Sequence, residues 1–278
     1  MSAGIIAAPR AAQPPRGLAL AFAFAAALLL VFIVLPLANL YASQSGAALA
    51  RVAAMAEVRS AIGLSLAAAL ATTACAALLA IPLAYLLARS AFPGKPVVEA
   101  IVDLPLAVPH TVVGIALLFV FGRTGIVGAP LEQWTGIKFW GTAAGIVVAM
   151  LYVSVPYAVN AARVGLEGVD DRLEKVARTL GAGRWAVFFR ITLPLASRGI
   201  LTGLALTFAR SVSEFGAVIV LTYYPMTAPV KIYDLFLQSG LGDSSAMAAL
   251  FLAITLSLFI ASRYLFRERR EPGPTPAR

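Results

Sequence analysis

The stretch Glu174–Pro194, EKVARTLGAGRWAVFFRITLP, lies between two long apolar segments and combines positive charge with large apolar side chains. Its basic residues are Lys175, Arg178, Arg184 and Arg190. Its bulky apolar residues include Trp185, Phe188, Phe189 and Ile191. Large apolar side chains are not typical of a loop that contacts only water, so the stretch indicates a surface that another molecule or segment covers.

The apolar residues before the glycines recur at spacings of three and four, which predicts one face of a helix. They are Leu166, Val169, Leu173, Val176, Ala177 and Leu180. Asp170 and Asp171 stand near its beginning, where acidic side chains suit the helix dipole. Gly181-Ala182-Gly183 predicts its end, because glycine favours the C-terminal cap.

A second short helix is predicted around Trp185 and Phe188, and Pro194 is predicted to disfavour its continuation through Leu193. The stretch is therefore two short amphipathic helices joined by a glycine turn. Their apolar face has three alternatives: the lipid headgroup region, the chain's own spans, or a groove on a partner. Composition alone does not choose between them.

The composition around this stretch is that of an integral membrane protein. Of 278 residues, 60% are hydrophobic and 13% charged, whereas soluble domains carry about 25% charged residues. Stretches of about 20 apolar residues can cross a bilayer as helices. Six are predicted, at about 18–40, 60–88, 97–121, 141–161, 198–222 and 245–265. The first is too long for the core of a signal peptide and is interpreted as an anchor.

The basic residues predict the orientation of these spans, because Lys and Arg collect on the cytoplasmic side. With both termini in the cytoplasm, sixteen of the 22 basic residues fall inside and five outside. The net charge of +9 is therefore attributed to membrane orientation, and no nucleic-acid partner is expected. Residues 162–197 become the longest cytoplasmic loop. Residues 1–17 and 267–278 are predicted to be disordered cytoplasmic tails.

Several kinds of chemistry are not expected of this chain. Cys75 is the only cysteine and His110 the only histidine, so neither an internal disulfide nor a His/Cys metal site is predicted. The sequence lacks the G-x-x-x-x-G-K-[ST] phosphate loop, so the chain is not expected to use ATP itself. We therefore predict no catalytic residue, no metal and no cofactor in this chain.

The predicted fifth span carries two charges, Arg210 and Glu214, four residues apart on one helix face. Each would cost about 2.5–3.5 kcal/mol if it faced lipid. They are either a mutually neutralised structural pair or groups beside a translocation path or its gate. Gly199 and Gly203 in the same span permit close helix approach, within the chain or in a dimer. His110 is either a substrate contact or a hydrogen-bonding group at a helix end.

The loop resembles the EAA loop of ABC-transporter permeases. Ala177 and Gly181 fit its Ala-x-x-x-Gly part, and Ile191-Thr192-Leu193-Pro194 fits its Ile-x-Leu-Pro, whereas Lys175 replaces the Glu of the pattern. The resemblance implies the type I importer permease fold, all-α, and a coupling loop that docks on an ATPase subunit. The docking residues it implies are Glu174, Lys175, Ala177, Arg178, Gly181, Ala182, Arg184, Trp185, Ile191, Leu193 and Pro194.

Further residues resemble the oxyanion permeases, most closely the tungstate/molybdate branch. They are Ser213–Ala217, Tyr224–Pro229, Ile232-Tyr233, Asp103–Pro105 and Val108–Val112. The resemblance implies import of molybdate or tungstate across the cytoplasmic (inner) membrane of a bacterium or archaeon. It implies four partners: an ATPase dimer that uses ATP and Mg, an extracytoplasmic binding protein, a second copy of this chain, and lipid. The expected path or gate residues are His110, Arg210, Ser213, Glu214 and Phe215.

Three alternatives remain open. A sulfate or thiosulfate permease of the same class shares part of the pattern. An ion-coupled secondary transporter would use Arg210 and Glu214 as its coupling site. A membrane scaffold would bind partners without transport. A bulky substitution at Gly181 separates an ATP-driven permease from an ion-coupled transporter, because only the permease depends on ATPase docking.

Overall fold

The computed structural model describes residues 15–265, and in this range the chain consists of helices and their connections. Residues 1–14 of the predicted N-terminal tail and all of the predicted C-terminal tail lie outside the described residues. The helices are α1 (Arg16–Ala42), α2 (Gly46–Ala54), α3 (Ala56–Arg89), α4 (Lys95–Ala107), α5 (His110–Phe121), α6 (Gly128–Thr135), α7 (Ala143–Glu167), α8 (Asp171–Thr179), α9 (Arg184–Val187), α10 (Leu193–Val212), α11 (Gly216–Leu221), α12 (Ala228–Ser239) and α13 (Leu241–Leu265). A π-helical turn, Phe188–Thr192, joins α9 to α10.

Five helices in the described range are long and apolar enough to cross a membrane: α1, α3, α7, α13 and the continuous helix Arg184–Val212. A sixth span is completed when the bent pair α4 and α5 is counted as one. This agrees with the predicted fold class. The helix α1 forms a unit of its own, with an exposed apolar surface along its length.

Two predicted spans are not single helices. The third bends by 113° between α4 and α5, where Val108 is extended and Pro109 precedes the first turn of α5. The fifth ends as a helix at Val212, and residues 213–215 separate it from α11. The prediction of one helix over 198–222 was therefore wrong. Arg210 lies on α10, whereas Glu214 lies in the break.

The loop after α7 has the predicted glycine turn but different helix bounds. The helix α7 continues to Glu167, and α8 begins at Asp171, capped by the Asp170 carboxylate, which accepts from the Arg172 N–H at 2.9 Å. The single apolar helix face predicted from Leu166 onward is thus divided between α7 and α8. The end of α8 is confirmed: Gly181 has φ +89°, and two backbone hydrogen bonds to Ala177 and Arg178 form a Schellman cap.

Pro194 does not end the second helix of the loop, contrary to the prediction. The backbone runs without a break from α9 through the π-helical turn into α10. Pro194 falls in the first turn of α10, where its missing N–H is tolerated because the preceding turn bonds differently. The Leu193 N–H donates to the Phe188 carbonyl, five residues back. The second helix is therefore the start of a membrane span.

The packed part of the chain, within residues 47–265, holds two apolar clusters along α3. One surrounds Val58, Ala69 and Met150, and the other surrounds Ala80, Leu87 and Leu166. We call the end of α3 near Arg89, where α8 lies, the loop end, and the end near Glu57 the opposite end. Buried alanines on α3 let α7 and α10 approach closely.

The helices α7 and α10 touch through their backbones at Gly165 and Gly199. A Cβ on Gly199 would lie 2.5 Å from the Gly165 Cα, and one on Gly203 would lie 2.9 Å from the Ala161 Cβ. Such distances leave no room for a side chain. Of the two alternatives for the glycine pair, packing within the chain is the one observed.

We expect Gly199→Ala to destabilise the protein by about 1–3 kcal/mol, because the added methyl group has no room against the α7 backbone and must push α7 and α10 apart. Thermal unfolding in detergent measures the loss. The matched control is Gly63→Ala on α3, where an added Cβ meets nothing within 4 Å. That change should be neutral or stabilise by up to about 1 kcal/mol. Equal melting temperatures for the two variants would contradict the packing argument.

Candidate functional site

The first candidate region is the exposed surface of α8, α9 and the π-helical turn. Its large apolar side chains are exposed, with 77% of Trp185 and 83% of Leu180 accessible. The other members are Leu173, Val176 and Phe189. Trp185 and Phe189 stack with ring centroids 6.1 Å apart. We call these five residues the loop face; an apolar surface of this kind is typical of an interaction site.

Basic side chains surround the loop face. Lys175, Arg178, Arg184 and Arg190 are all exposed. Within residues 15–265 none of these four forms an ion pair. Their charges are therefore available to an acidic partner or to anionic headgroups.

The remaining predicted docking residues do not all reach this surface. Glu174 turns inward and pairs with Arg89 at the end of α3, with Nη2 and Oε1 2.9 Å apart. Ala177 and Ala182 are half-buried. Ile191 and Leu193 are partly buried, and Leu193 packs against the apolar cluster at the loop end. Gly181 and Pro194 are exposed.

The second candidate region is the point where the two broken spans meet. The helix α5 lies against α11 so closely that a Cβ on Gly216 would be 2.8 Å from the His110 Cβ. A Cβ on Gly114 would similarly lie 2.7 Å from the Val220 Cβ. The first turn of α5 and residues 213–215 thus come together, although about 100 residues separate them in sequence.

An ionic cluster of His110, Arg210 and Glu214 fills this meeting point. Arg210 Nη2 lies 2.7 Å from Glu214 Oε2 and 2.6 Å from His110 Nδ1. The same Glu214 oxygen is 3.0 Å from His110 Nδ1. Glu214 is only 1% exposed, and its other oxygen accepts from the Ala217 N–H at 2.8 Å, at the start of α11. One carboxylate therefore links α5, α10 and α11.

The other two predicted path residues take different positions. Ser213 is exposed, and its hydroxyl lies 3.4 Å from Arg210 Nη1, a long contact. The Phe215 ring packs edge-on against Tyr233, with ring centroids 5.2 Å apart. The structure thus joins His110, Arg210 and Glu214 and directs Phe215 toward α12. The charges of Arg210 and Glu214 cancel, so the cluster does not provide a fixed positive site for an anion.

A third region, a polar cluster at the opposite end, was not predicted from the sequence. Lys231 on α12 is buried, and its ammonium donates to Glu57 at 2.7 Å and to Asp234 at 3.1 Å. Asp234 also accepts from the Tyr223 hydroxyl and the Gln238 amide. The cluster fastens α12 to the first turn of α3. Its only advance signal was the Lys231–Asp234 spacing of three, which is common on helices.

In this polar cluster, burial and hydrogen bonding shift the pKa values of Lys231 and Asp234 in opposite directions. Burial acts to lower the pKa of Lys231, but its hydrogen bonds to Glu57 and Asp234 prevail and raise it. Burial acts to raise the pKa of Asp234, but hydrogen bonds from Tyr223 and Lys231 prevail and lower it. The stability contributed by the charged Lys231 is lost only as the pH rises through its raised pKa. The stability contributed by the charged Asp234 is lost only as the pH falls through its lowered pKa.

We expect Lys231→Met to lower stability by about 1–3 kcal/mol at neutral pH, because it leaves the buried Asp234 carboxylate without its cation. The loss should be constant from about pH 5 to pH 9, between the ordinary pKa values of the two groups. It should shrink in more acidic buffer, where Asp234 is protonated in both proteins. Thermal unfolding of both proteins across this pH range is the measurement; a loss that grew in acid would contradict it.

Known proteins resemble this chain over most of its length. Residues 80–271 match the model of the family described as binding-protein-dependent transport system inner membrane component. The chain is 41% identical over 250 residues to the molybdate/tungstate transport system permease protein WtpB of Pyrococcus furiosus, covering 89% of this chain and 95% of the relative. It is 45% identical over 194 residues to the molybdenum transport system permease protein ModB of Escherichia coli K12, covering 68% and 84%.

Solved structures share the fold. A bacterial ABC transporter that imports the polysaccharide alginate matches with a TM-score of 0.74 at 18% identity, covering 91% of this chain and 96% of that one. The MetNI methionine ABC transporter in an inward-facing form matches with a TM-score of 0.60 at 16% identity, covering 76% and 94%. These likenesses confirm the type I ABC importer permease fold that the EAA-like loop implied. The chain belongs to the family of binding-protein-dependent transport system inner membrane components.

Proposed function

We propose that this chain is the membrane-spanning permease subunit of an ATP-driven importer that passes molybdate or tungstate into the cytoplasm. The observation that carries the proposal is the loop after α7. The exposed loop face and the basic side chains around it form a surface typical of an interaction site, on a loop that resembles the EAA loop of ABC-transporter permeases. The relatives named for molybdate and tungstate supply the choice of anion.

The energy source in this proposal is a separate ATPase dimer that binds ATP and Mg. The loop face docks on that dimer, and the basic side chains around it, among them Lys175, Arg178 and Arg184, pair with acidic groups on the dimer. The sequence of this chain contains no phosphate loop that would replace such a partner. Two copies of this chain form the path, and an extracytoplasmic binding protein delivers the anion. Both termini then lie in the cytoplasm, in agreement with the distribution of basic residues.

The path or gate in this proposal runs beside the ionic cluster of His110, Arg210 and Glu214. Charged groups within a span must face the bundle or water and are typical of transport paths. Here they join two broken helices, and non-helical backbone at such depth is tolerated only inside protein or beside a water-filled cavity. The cluster's charges largely cancel, as suits a conduit from which the anion must leave again.

The experiment is uptake by proteoliposomes that hold this chain, its ATPase subunit and its binding protein. Molybdate, tungstate and sulfate are compared, with ATP supplied on the ATPase side or omitted. The proposal expects ATP-dependent uptake of molybdate or tungstate and none of sulfate.

Each other outcome corrects a different part of the proposal. ATP-dependent sulfate uptake would keep the class and reject the anion. Uptake that ignores ATP and follows an ion gradient would reject the class. Binding of both partners with no flux of any of the three anions would support a scaffold instead.

A further inference from the structure

The connection between α8 and the membrane helices depends on very few contacts. None of the nine residues of α8, all within the described range, is buried. Its apolar side chains Leu173 and Val176 point outward, into the loop face. Apolar burial therefore does not attach this helix to the rest of the chain. Some other interaction has to hold it at its observed angle.

That interaction is centred on Arg89, the last residue of α3. Its Nη1 lies 2.8 Å from Asp171 Oδ1, and its Nη2 and Nε lie 2.9 and 3.0 Å from Glu174 Oε1. Nη2 also donates to the Val169 carbonyl at 2.9 Å, in the turn before α8. A cation at the C-terminus of α3 is favoured by the helix dipole as well. One guanidinium thus binds both the start and the middle of α8.

Glu174 extends the same contact to the next membrane helix. Its Oε1 accepts from the Thr192 hydroxyl at 3.0 Å, and Thr192 is fully buried in the π-helical turn before α10. The Arg89 and Glu174 side chains are only 13% and 16% exposed. Charge-assisted hydrogen bonds in such partly desolvated positions are stronger than ordinary surface ion pairs. We call Arg89, Glu174 and Thr192 the α8 anchor.

We propose that the α8 anchor is the mechanical link through which a displacement of α8 reaches α3 and α10. In this proposal Arg89 and Glu174 are positioning residues, and Glu174 acts within this chain and not by contact with the ATPase. The proposal rests on the proposed function, since it assumes that a partner moves α8. The anchor fixes α8 to two spans at once, so that closure of the partner moves both spans together and does not merely tilt a loosely held helix.

The first test does not require transport. In the full-length chain in nanodiscs, with Cys75→Ser, a spin label is placed by Arg178→Cys on exposed α8. Arg89→Ala should increase the mobility of the label clearly. The matched control is Arg51→Ala, which removes an Arg–carboxylate pair with Asp243 on other helices and should leave the label unchanged. Unchanged mobility in Arg89→Ala would overturn the anchor, whatever the chain transports.

The second test measures coupling in the complete transporter. Arg89→Ala should leave the ATPase subunit co-purifying and hydrolysing ATP, because it changes neither the side chains of the loop face nor the Gly181 cap that orients α8 relative to α9. Uptake, and stimulation of hydrolysis by the loaded binding protein, should fall about tenfold, within the usual range of coupling between sites. Glu174→Gln should show the same pattern more weakly, since its amide oxygen still accepts from Thr192. Loss of co-purification in step with uptake would overturn the proposal and assign the pair to docking.

Exchanging the two charges tests whether Arg89 and Glu174 act as a pair or are each needed for a separate reason. Arg89→Glu together with Glu174→Arg should restore part of the uptake that either single change removes. Restoration is incomplete because a carboxylate at position 89 cannot donate to the Val169 carbonyl. A double variant no better than the worse single variant would contradict the pairing. If the unmodified transporter shows no ATP-dependent uptake, the proposed function fails, and the label experiment still decides the anchor.

Discussion

Replacing Glu214 with alanine should destabilise the protein by about 3–5 kcal/mol, as removal of one partner from a buried ion pair does. The change leaves the Arg210 guanidinium without its carboxylate and removes the acceptor of the Ala217 N–H at the start of α11. Uptake should be abolished in the same variant. Thermal unfolding in detergent and uptake in proteoliposomes measure the two effects.

The control is Glu132→Ala, which removes a more exposed ion pair with Lys138. Its cost should stay within about 1 kcal/mol, as for surface pairs in general. Similar melting temperatures for the two variants would show that the burial of Glu214 does not translate into stability.

A double replacement distinguishes the two interpretations of the Arg210–Glu214 pair. Arg210→Met with Glu214→Leu removes both charges and should be more stable than either single variant, because no unpaired charge remains. If the pair belongs to the path or its gate, uptake stays lost in this stable protein. Recovery of uptake would assign the pair a structural role alone.

Gly181→Val should abolish docking of the ATPase and, with it, uptake. Gly181 has φ +89°, a conformation that costs a residue with a side chain about 1–2 kcal/mol and a β-branched one more. The Schellman cap is lost, and α8 is redirected relative to α9, so the loop face no longer presents one surface. Co-purification of the ATPase is the direct measurement.

Gly183→Val is the matched control two residues further on. Gly183 has φ −66°, which any residue adopts, and an added Cβ meets nothing within 4 Å. It should retain docking and uptake. Gly181→Asn should be intermediate, because Asn tolerates the left-handed region. A Gly181→Val transporter with normal uptake would favour the ion-coupled alternative.

The sequence predicted the helices whose identity depends on local composition. Long apolar runs identified α1, α3 and α13, and the glycines identified the end of α8. The start of α8 at Asp171 was not predicted, because the apolar spacing continues from Leu166 in α7. The sequence did not predict the breaks in the third and fifth spans, because their causes are not local. Pro82 and Pro156 lie inside intact helices, so Pro109 alone did not indicate a break. The break at residues 213–215 coincides with the close approach of Gly216 to His110, a contact between distant segments.

The site was predicted only in part for the same reason. Exposure of Trp185 and Lys175 follows from their place in an amphipathic pattern. The inward turn of Glu174 does not, because its partner Arg89 lies 85 residues earlier and counted only as one more basic residue. Likewise the spacing of Arg210 and Glu214 left two interpretations open, a structural pair or groups beside the path, whereas His110 joins them only through the meeting of two bends. The predicted helix end at Pro194 was wrong because residue preferences do not indicate a π-helical turn.

The helix from Arg184 to Val212 is unbroken and touches α7 through backbone at the Gly165–Gly199 contact, so a rigid tilt of this helix would pivot there. At about 1.5 Å per residue, Trp185 lies about 21 Å from Gly199 on one side and Arg210 about 16 Å on the other. In such a tilt, a sideways displacement of Trp185 by about 3 Å would swing Arg210 by about 2 Å in the opposite direction. A displacement at the loop end would thus reach the ionic cluster with reversed sign and a smaller amplitude.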